Sequence, residues 1–571
     1  MTRPNSIHNL SKLCLLMLLM TGTILWAAGE EPARNDHIRE LQTMAIGRNQ
    51  ADFGHWGYKP EEYTQWGSHS NRLIPIYTFG TRPLQTQAGQ KPAPTELAAY
   101  MGENSPYRSA DALRKIYGFL PEATVNPQAS YCDQTNLYDL QKAAAQAGKK
   151  YIFLVVFDGM DWQSTWNASI DRNQKVAYKE GRGTGFHFQD YTAGGTTGFG
   201  YMVTSPHNEG TQVDVDLQTV KNPGGKMLGG YDVTRGGEFP WSIAADPKYP
   251  IASASDKRVK HAYTDSSSSA SSMTAGKKTY NNAVNVYPDG SQFETIVHQQ
   301  QRLGWSVGVV TSVPVPHATP ACAYAHNVDR DDYQDLTRDL VGLPSIAHPQ
   351  APLPGMDVVI GGGAGTDAKQ ASAQGKNFVP GNLYLTDADK QTIDVTHGGK
   401  YRVAERLPGI DGASHLMEMA RLAAEKNERL FGIYGVGAYK GHLPFATANG
   451  DFKPAPGRSG SAEKYTRADL SENPTLAQMT EAALVVLEAK KKPFWLMVEA
   501  GDVDWANHDN NLDNSIGAIE SGDNAVRVIT DWVEKHSNWE ESLVIVTADH
   551  GHYFHLLQPE ALIAPNKVAK P

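Results

Sequence analysis

Cysteine is scarce in this sequence, with three residues among 571. Cys14 falls in the apolar N-terminal stretch, while Cys132 and Cys322 are far apart and lack the short spacing of thiolate metal sites. This excludes a cysteine-ligated metal site and a dense disulfide framework, and we expect both residues to be structural. Whether they form one bridge stays open, because an oxidising compartment would permit it.

Positive charge is also in short supply. The 52 lysines and arginines are outnumbered by 62 acidic residues, which gives a net charge of −10, and the basic residues form no stripe. This balance argues against nucleic acid as the main partner. It sets no limit on binding a small anion, because a local cluster of metal ions can outweigh the overall field.

Long apolar runs are absent beyond the N-terminus, and there is no internal repeat. At the N-terminus, Arg3 and Lys12 precede the apolar run Leu13–Trp26, which is too short for a comfortable membrane span. Small residues then follow at 27–29, as at a signal-peptide cleavage site. We predict export to the periplasm or the cell exterior with removal of residues 1–29, and an uncleaved anchor is the alternative.

Apolar runs alternate with segments of helical spacing over most of the remaining chain. The helical segments include 476–489 and 516–533, where apolar residues can share one face. This alternation predicts an α/β fold with a central, mainly parallel sheet between layers of helices. The predicted strands, all apolar enough to be buried on both faces, are Tyr151–Phe157, Trp305–Val310, Asp357–Ile360, Phe494–Val498 and Leu543–Thr547.

The chain is long enough for one large domain with additions. Residues 30–146 are rich in Gly, Pro, Tyr and Trp with little periodicity, and we predict an N-terminal elaboration packed on the core. Residues 147–571 would form the main domain, with long surface insertions at 208–257 and 361–406.

Polar residues that can bind metals follow several of the predicted strands. In a parallel sheet the carboxyl ends of the strands meet at one edge, where ligands bind. We therefore expect one polar site there. The residues delivered to this edge are Asp158, Thr311 and the turn toward Thr319, Glu499, Asp549 and His550.

Two further motifs fit such a site. Asp265 or Ser266 can cap a helix of small residues that ends at Gly276, and a hydroxyl there faces unpaired backbone amides. Asp504 and His508 are four residues apart and share one face of a helix, a pair suited to zinc. Each motif alone is more often structural, and their convergence on one edge carries the functional interpretation.

Between about residues 150 and 554, the order of these motifs resembles the alkaline phosphatase family. Two positions depart from the family pattern: Phe157 replaces a usual glycine, and the nucleophile helix is richer in serine. The matching segments are Val156–Met160, Asp265-Ser266 with Gly276, His317–Ala321 with Arg330 eleven residues after Thr319, Glu499 with Asp504 and His508, and Thr547–His552.

The resemblance implies a phosphomonoesterase that acts on small phosphorylated substrates. Ser266 would attack phosphorus and be phosphorylated, and Arg330 would clamp two phosphate oxygens. Two zinc ions and one magnesium ion would assist. The implied ligands are Asp504 and His508 for the first zinc, Asp158, Asp549 and His550 for the second, and Asp158, Thr319 and Glu499 for the magnesium. A homodimer is compatible with the sequence.

One family feature is missing. The family takes another first-zinc histidine from about forty residues beyond the Asp549-His550 pair, but the chain stops at Pro571. His552 and His555 are the nearest substitutes and His397 is a remote one. We expect a rearranged first zinc site, with a weakened, water-filled site as the alternative.

Two other functions remain open at this point. One is hydrolysis of phosphodiesters or sulfate esters on the same scaffold, although the Cys-x-Pro-x-Arg motif of related sulfatases is absent and Arg330 favours a dianionic monoester. The other is a non-catalytic, secreted phosphate- or metal-binding protein. Loss of phosphate release in Ser266→Ala would exclude the second.

Overall fold

The computed structural model describes residues 36–63, 68–81, 93–251 and 260–565. The expected signal peptide at 1–29 lies outside these ranges. Within them, no helix has the length and apolarity needed to cross a membrane.

A ten-stranded sheet forms the centre of the molecule, in the order β7-β8-β6-β5-β9-β3-β10-β1-β4-β2. Every strand runs in the same direction except β1, which is antiparallel to both neighbours. The predicted α/β fold with a mainly parallel sheet is confirmed. The strands are β1 Ile74–Phe79, β2 Cys132–Asp133, β3 Tyr151–Phe157, β4 Gly198–Val203, β5 Ser306–Pro314, β6 Val358–Gly362, β7 Tyr401–Glu405, β8 Arg429–Ile433, β9 Phe494–Ala500 and β10 Ser542–Thr547.

The middle strands are buried on both faces, as continuous apolar runs require. β3 has the predicted bounds, and β9 and β10 are buried along their whole length. β5 and β9 extend further than predicted. Thr311 and Glu499 therefore lie inside strands, where the sequence interpretation had them just after strands.

Helices cover the sheet, and the two predicted segments 476–489 and 516–533 are both helical. α14 begins and ends as expected, and α16 extends the predicted helix at both ends while burying its apolar face. The helices are α1 His37–Arg48, α2 Ala110–Tyr117, α3 Asn136–Gln146, α4 Trp162–Asn173, α5 His187–Asp190, α6 Val233–Gly236, α7 Ser266–Ala275, α8 Ile296–Arg302, α9 Ala318–Ala321, α10 Tyr333–Val341, α11 Asp387–Ile393, α12 Gly412–Lys426, α13 Arg467–Ser471, α14 Leu476–Ala489, α15 Asp502–His508 and α16 Leu512–His536.

The N-terminal region contributes strands to the central sheet. β1 lies between β10 and β4, and β2 is an edge strand. Short antiparallel pairs also join this region to the last part of the described chain: Gly54–Trp56 pairs with Phe554–Leu556, and His69–Ser70 pairs with Gly551–His552. The domain boundary at residue 146 stays a prediction. Other short pairs are Asn208–Glu209 with Met227–Leu228, Val213–Asp214 with Thr219–Val220, and Asp367–Ala368 with Gly381–Asn382.

Cys132 and Cys322 are both buried and unbridged. The Cys322 thiol donates to the Ser267 carbonyl at 3.2 Å, and burial raises the pKa of Cys322 to about 12. Both thiols are therefore protonated packing groups.

Candidate functional site

The predicted site residues meet at the carboxyl ends of three neighbouring strands. Asp158 follows β3, Asp549 and His550 follow β10, and Glu499 is the penultimate residue of β9. These strands are adjacent and parallel, so their ends deliver all four side chains to one edge of the sheet.

Asp158, Asp549 and His550 form a first group, called here the carboxylate cluster. His550 Nε2 lies 3.2 Å from Asp158 Oδ1 and 3.5 Å from Asp549 Oδ2, and all three residues are buried. Asp549 Oδ1 accepts the backbone N–H of Gly159 at 3.0 Å and that of His550 at 2.9 Å. Asp549 Oδ2 accepts no hydrogen bond from the described residues and faces the cluster.

Negative charge is poorly balanced in the carboxylate cluster. Burial raises the pKa of Asp158 well above its ordinary value, and the carboxylates of Asp504 and Glu499 raise it further. Burial and the neighbouring Asp158 raise the pKa of Asp549 to about 8. Asp158 and Asp549 are both buried and both lie next to His550, so their negative charges need either a proton or a bound cation.

Ser266 lies beside this cluster at the start of α7. Asp265 is the N-cap, since its Oδ1 accepts the backbone N–H of Ser268 at 2.9 Å, and Gly276 ends the helix with a φ of 67°. Ser266 Oγ is 3.4 Å from Asp158 Oδ1 and 3.3 Å from His550 Nε2. The hydroxyl therefore lies at the positive end of a helix and against the carboxylate cluster.

A second group, called here the histidine cluster, contains His69, Asp504, His508 and His552. His552 Nε2 is 2.8 Å from Asp504 Oδ1, and the Nε2 atoms of His69 and His508 are each 3.4 Å from that oxygen. Despite burial, His508 and the hydrogen bonds from His552 and His69 lower the pKa of Asp504 well below its ordinary value. Asp504 and His508 share one face of α15, as their spacing predicts.

Local strand pairing positions two members of the histidine cluster. His69 and His552 are direct partners in an antiparallel pair, so their side chains lie on the same face. The ring of His69 also stacks on that of His550, with centroids 3.7 Å apart. The two clusters are thus contiguous, and His550 Nε2 lies 3.8 Å from Asp504 Oδ1.

The structure distinguishes the three substitutes considered for the missing histidine. His552 lies in the histidine cluster, whereas the ring of His555 faces His55 at 5.5 Å and His397 is exposed, 3.1 Å from the Thr396 hydroxyl. Sequence reasoning missed His69 altogether. This residue lies in a segment without periodicity, and only the pairing with residues 551–552 reveals its position.

Glu499 and Thr319 form a third polar group, beyond the carboxylate cluster. Glu499 Oε2 accepts the hydroxyl of Thr311, while Glu499 Oε1 and Thr319 Oγ1 are buried without a hydrogen-bond partner in the described chain. Burial raises the pKa of Glu499 to about 7. His317, in the turn before α9, also has a buried Nδ1 atom without such a partner.

Arg330 lies at the entrance to the site. Its Nη1 donates to Asp265 Oδ2 at 3.1 Å, which ties the guanidinium to the cap of α7. Together with Asp504 and His508 it lines a cavity of ≈ 710 Å³. The guanidinium thus lies beside the N-cap of the helix that begins at Ser266.

The donor atoms in these groups are suited to divalent cations. Imidazole nitrogens with a carboxylate in the histidine cluster are typical zinc ligands, and carboxylate and hydroxyl oxygens around Glu499 are typical magnesium ligands. The unpartnered atoms Asp549 Oδ2, Glu499 Oε1 and Thr319 Oγ1 are the ones that cations would satisfy. The residues present thus fit metal binding at all three groups.

Clustered potential metal ligands at the edge of a parallel sheet, beside a serine that begins a helix, define a candidate metal-binding site. Comparison with known proteins gives the family: the model of the alkaline phosphatase family matches residues 237–562, more than half of the chain. The chain belongs to the alkaline phosphatase family.

Individual relatives are distant. Alkaline phosphatase 3 of Bacillus subtilis (strain 168) is 26% identical over 288 residues, which cover 50% of this chain and 49% of the relative. Alkaline phosphatase of Escherichia coli (strain K12) is 28% identical over 301 residues, which cover 52% of this chain and 60% of the relative. The chain thus spans about half to three-fifths of the length of these relatives. The crystal structure of Thermus thermophilus alkaline phosphatase aligns with a TM-score of 0.41 and 19% identity, covering 71% of this chain and 60% of that one.

Proposed function

We propose that this protein hydrolyses phosphate monoesters through Ser266, with a phosphoserine intermediate. The observation that carries the proposal is the position of Ser266 Oγ, 3.4 Å from Asp158 Oδ1 and 3.3 Å from His550 Nε2 at the N-terminus of α7. A hydroxyl in this position has the anion-binding end of a helix on one side and a cation-binding cluster on the other.

The metal ligands follow from the donor groups. The carboxylate cluster and the histidine cluster would each hold zinc, and Asp158, Thr319 and Glu499 would hold magnesium. Bound cations would lower the pKa of the Ser266 hydroxyl and neutralise charge on the phosphate oxygens. In this proposal His69 and His552 complete the ligand set of the histidine cluster.

The chain's own residues account for the order of events. Ser266 Oγ loses its proton and attacks phosphorus while the bond between phosphorus and the ester oxygen breaks. The leaving alkoxide takes up a proton and departs as the alcohol. Arg330 binds two phosphate oxygens with its planar fork, and the first amides of α7 face the same anion. Water then cleaves the bond between phosphorus and Ser266 Oγ, which releases inorganic phosphate and regenerates the serine.

Ser266→Ala tests the nucleophile. We expect release of phosphate from a monoester to fall by at least about a thousandfold, and acid quenching of wild type to yield phosphoserine at Ser266. Ser272→Ala is the matched control: it removes another buried hydroxyl of α7, which donates to the Ser268 carbonyl. Undiminished turnover by Ser266→Ala would rule out the serine mechanism.

The same assay separates the alternative reactions. Arg330 has donors for two phosphate oxygens, which favours a dianionic monoester over a diester. Rates on a monoester and a diester of the same alcohol should therefore favour the monoester. The opposite preference would assign a phosphodiesterase, and release from neither compound would favour a binding protein.

Localisation and partners are proposed from the sequence. The signal-like segment at 1–29 motivates export, and the net charge of −10 disfavours nucleic acid as a partner. Mass spectrometry of the secreted or periplasmic protein should find an N-terminus near residue 30. Sedimentation of the purified protein tests the proposed homodimer, and a monomer at all concentrations would exclude it.

A further inference from the structure

A separate group of metal-capable side chains lies away from the clusters described above. It contains His326, Asp339 on α10, and His348 in the loop after that helix, and one ligand atom from each lies within 4.8 Å of the others. His326 and His348 line a cavity of ≈ 400 Å³. None of the residues lining this cavity lines the one at Arg330.

The spacing of the three ligand atoms suits one ion. His326 Nδ1 and His348 Nε2 are 3.0 Å apart, and His348 Nε2 is 3.7 Å from Asp339 Oδ2. Ligands about 2.1 Å from a tetrahedral zinc ion lie roughly 3.4 Å from one another. The observed separations lie on either side of that value.

Outer contacts hold two of these ligands in a binding orientation. His326 Nε2 is 2.9 Å from the Phe293 carbonyl, so the ring proton lies on Nε2 and Nδ1 presents its lone pair. Asp339 Oδ1 accepts the Ser345 hydroxyl at 2.5 Å, and Oδ2 accepts the backbone N–H of His326 at 3.0 Å. A carbonyl behind a histidine and a hydroxyl behind a carboxylate are common supports of metal ligands.

The buried negative charge of Asp339 also favours a bound cation. Asp339 is fully buried, and within the described ranges its one ion-pair partner is His348. The adjacent Arg338 is turned away and pairs with Asp335 and Asp389. A buried carboxylate between two imidazoles without lysine or arginine is costly unless a proton or a cation joins it.

We propose that His326, Asp339 and His348 form an additional site for a zinc-type divalent cation, distinct from the ions of the catalytic clusters. Two imidazoles and one carboxylate favour zinc over magnesium or calcium. Three protein ligands leave the fourth position of the ion open to the ≈ 400 Å³ cavity, where water completes the coordination.

The test counts zinc ions per chain by mass spectrometry after equilibration in a buffer of fixed free zinc. His348→Ala and His348→Gln should each bind one equivalent fewer than wild type. His397→Ala is the control, because it removes an exposed histidine from another turn. Equal zinc content in wild type and both His348 variants would overturn the proposal.

Two further measurements keep the test decisive. Anomalous diffraction at the zinc edge from zinc-loaded wild-type crystals should give a peak between the three ligand atoms, and an empty position there would refute the site even if a variant fails to fold. Turnover of a phosphate monoester should stay within about twofold of wild type in the His348 variants, since the cavity is separate. Zinc content does not depend on whether the chain is a phosphatase, so the two proposals fail separately.

Discussion

His69 and His552 lie directly opposite each other in a two-residue antiparallel pair, and both side chains reach Asp504 Oδ1. The N-terminal region therefore supplies a side chain to the histidine cluster. A strand pairing, rather than a helix or a long loop, fixes this histidine relative to the rest of the cluster.

Replacing His69 tests this arrangement. His69→Ala should weaken zinc binding at the histidine cluster by at least about tenfold, because one ligand of the cluster is lost. Zinc content after dialysis against a competing chelator measures the effect, and added zinc should restore turnover. His555→Ala is the control, because its ring faces His55 outside the cluster. Equal zinc retention by the two variants would contradict the role of His69.

Two features of the structure require glycine at position 159: its backbone conformation and its close contacts. Its φ is +72°, and an added Cβ would lie 2.9 Å from His552 Cδ2 and 3.0 Å from the Asp504 Cα. Gly159→Ala should cost about 1–2 kcal/mol in unfolding free energy from the backbone alone and should also displace zinc from the histidine cluster.

Gly118→Ala separates these two effects. Gly118 has a φ of +79° with no atom within 4 Å of an added Cβ, so the backbone cost is similar and no cluster is disturbed. Denaturation curves and zinc analysis of both variants make the comparison. If Gly159→Ala retains full zinc content, the close packing around Gly159 is not needed for zinc binding.

Arg330 should govern affinity for phosphate. Loss of its charge-assisted hydrogen bonds in Arg330→Ala should weaken competitive inhibition by inorganic phosphate by about 10–100-fold. Arg330→Lys should recover part of this loss, since lysine keeps the charge without the fork. Arg458→Ala removes an equal charge from the lining of the same cavity and serves as control. Similar inhibition constants for Arg330→Ala and Arg458→Ala would exclude specific phosphate contact by Arg330.

The half-buried imidazole of His187 should make the free energy of unfolding depend on pH. Its Nε2 is 2.7 Å from Thr530 Oγ1 on α16, and burial lowers the pKa of His187 to about 4. The nearby Arg527 lowers it further, against the opposing charges of Asp190 and Asp531. The unfolded chain protonates this ring near its ordinary pKa of about 6.5. Stability should therefore fall as the pH drops from about 6.5 toward about 4.

The measurement compares melting temperatures at pH 7 and pH 5. Between pH 7 and pH 5 the melting temperature of wild type should fall further than that of His187→Gln, because the variant has no imidazole to take up a proton on unfolding. His397→Gln removes an exposed histidine and should behave as wild type does. A drop of the same size in wild type and His187→Gln would show that His187 makes no contribution.

The sequence predicts the central strands and the residues at their ends, since apolar runs such as β3 and β10 report burial on both faces. β1 was not predicted because it lies in the N-terminal region, which shows little periodicity, and because proline is unusual in an interior strand. Pro75 is the second residue of β1, where a missing N–H costs little, and its carbonyl accepts the Thr547 hydroxyl at 2.7 Å.

In the candidate site, too, some residues could be predicted from the sequence and others could not. Asp504 and His508 could be paired from sequence because four-residue spacing on a helix puts them on one face. His69 could not, because its position depends on a pairing with a strand near the other end of the chain. Local periodicity carries no information about such a partner, and a lone histidine in a polar segment is most often structural.

The pairing of His69–Ser70 with Gly551–His552 brings together two segments that are far apart in the sequence. A nascent chain lacking its last segment has Asp158, Ser266 and Arg330 but no complete histidine cluster. In the proposed function, the histidine cluster would therefore be completed only after the segment around His552 has been synthesised. A chain exported before folding would acquire its full set of metals only in the compartment where it finally assembles.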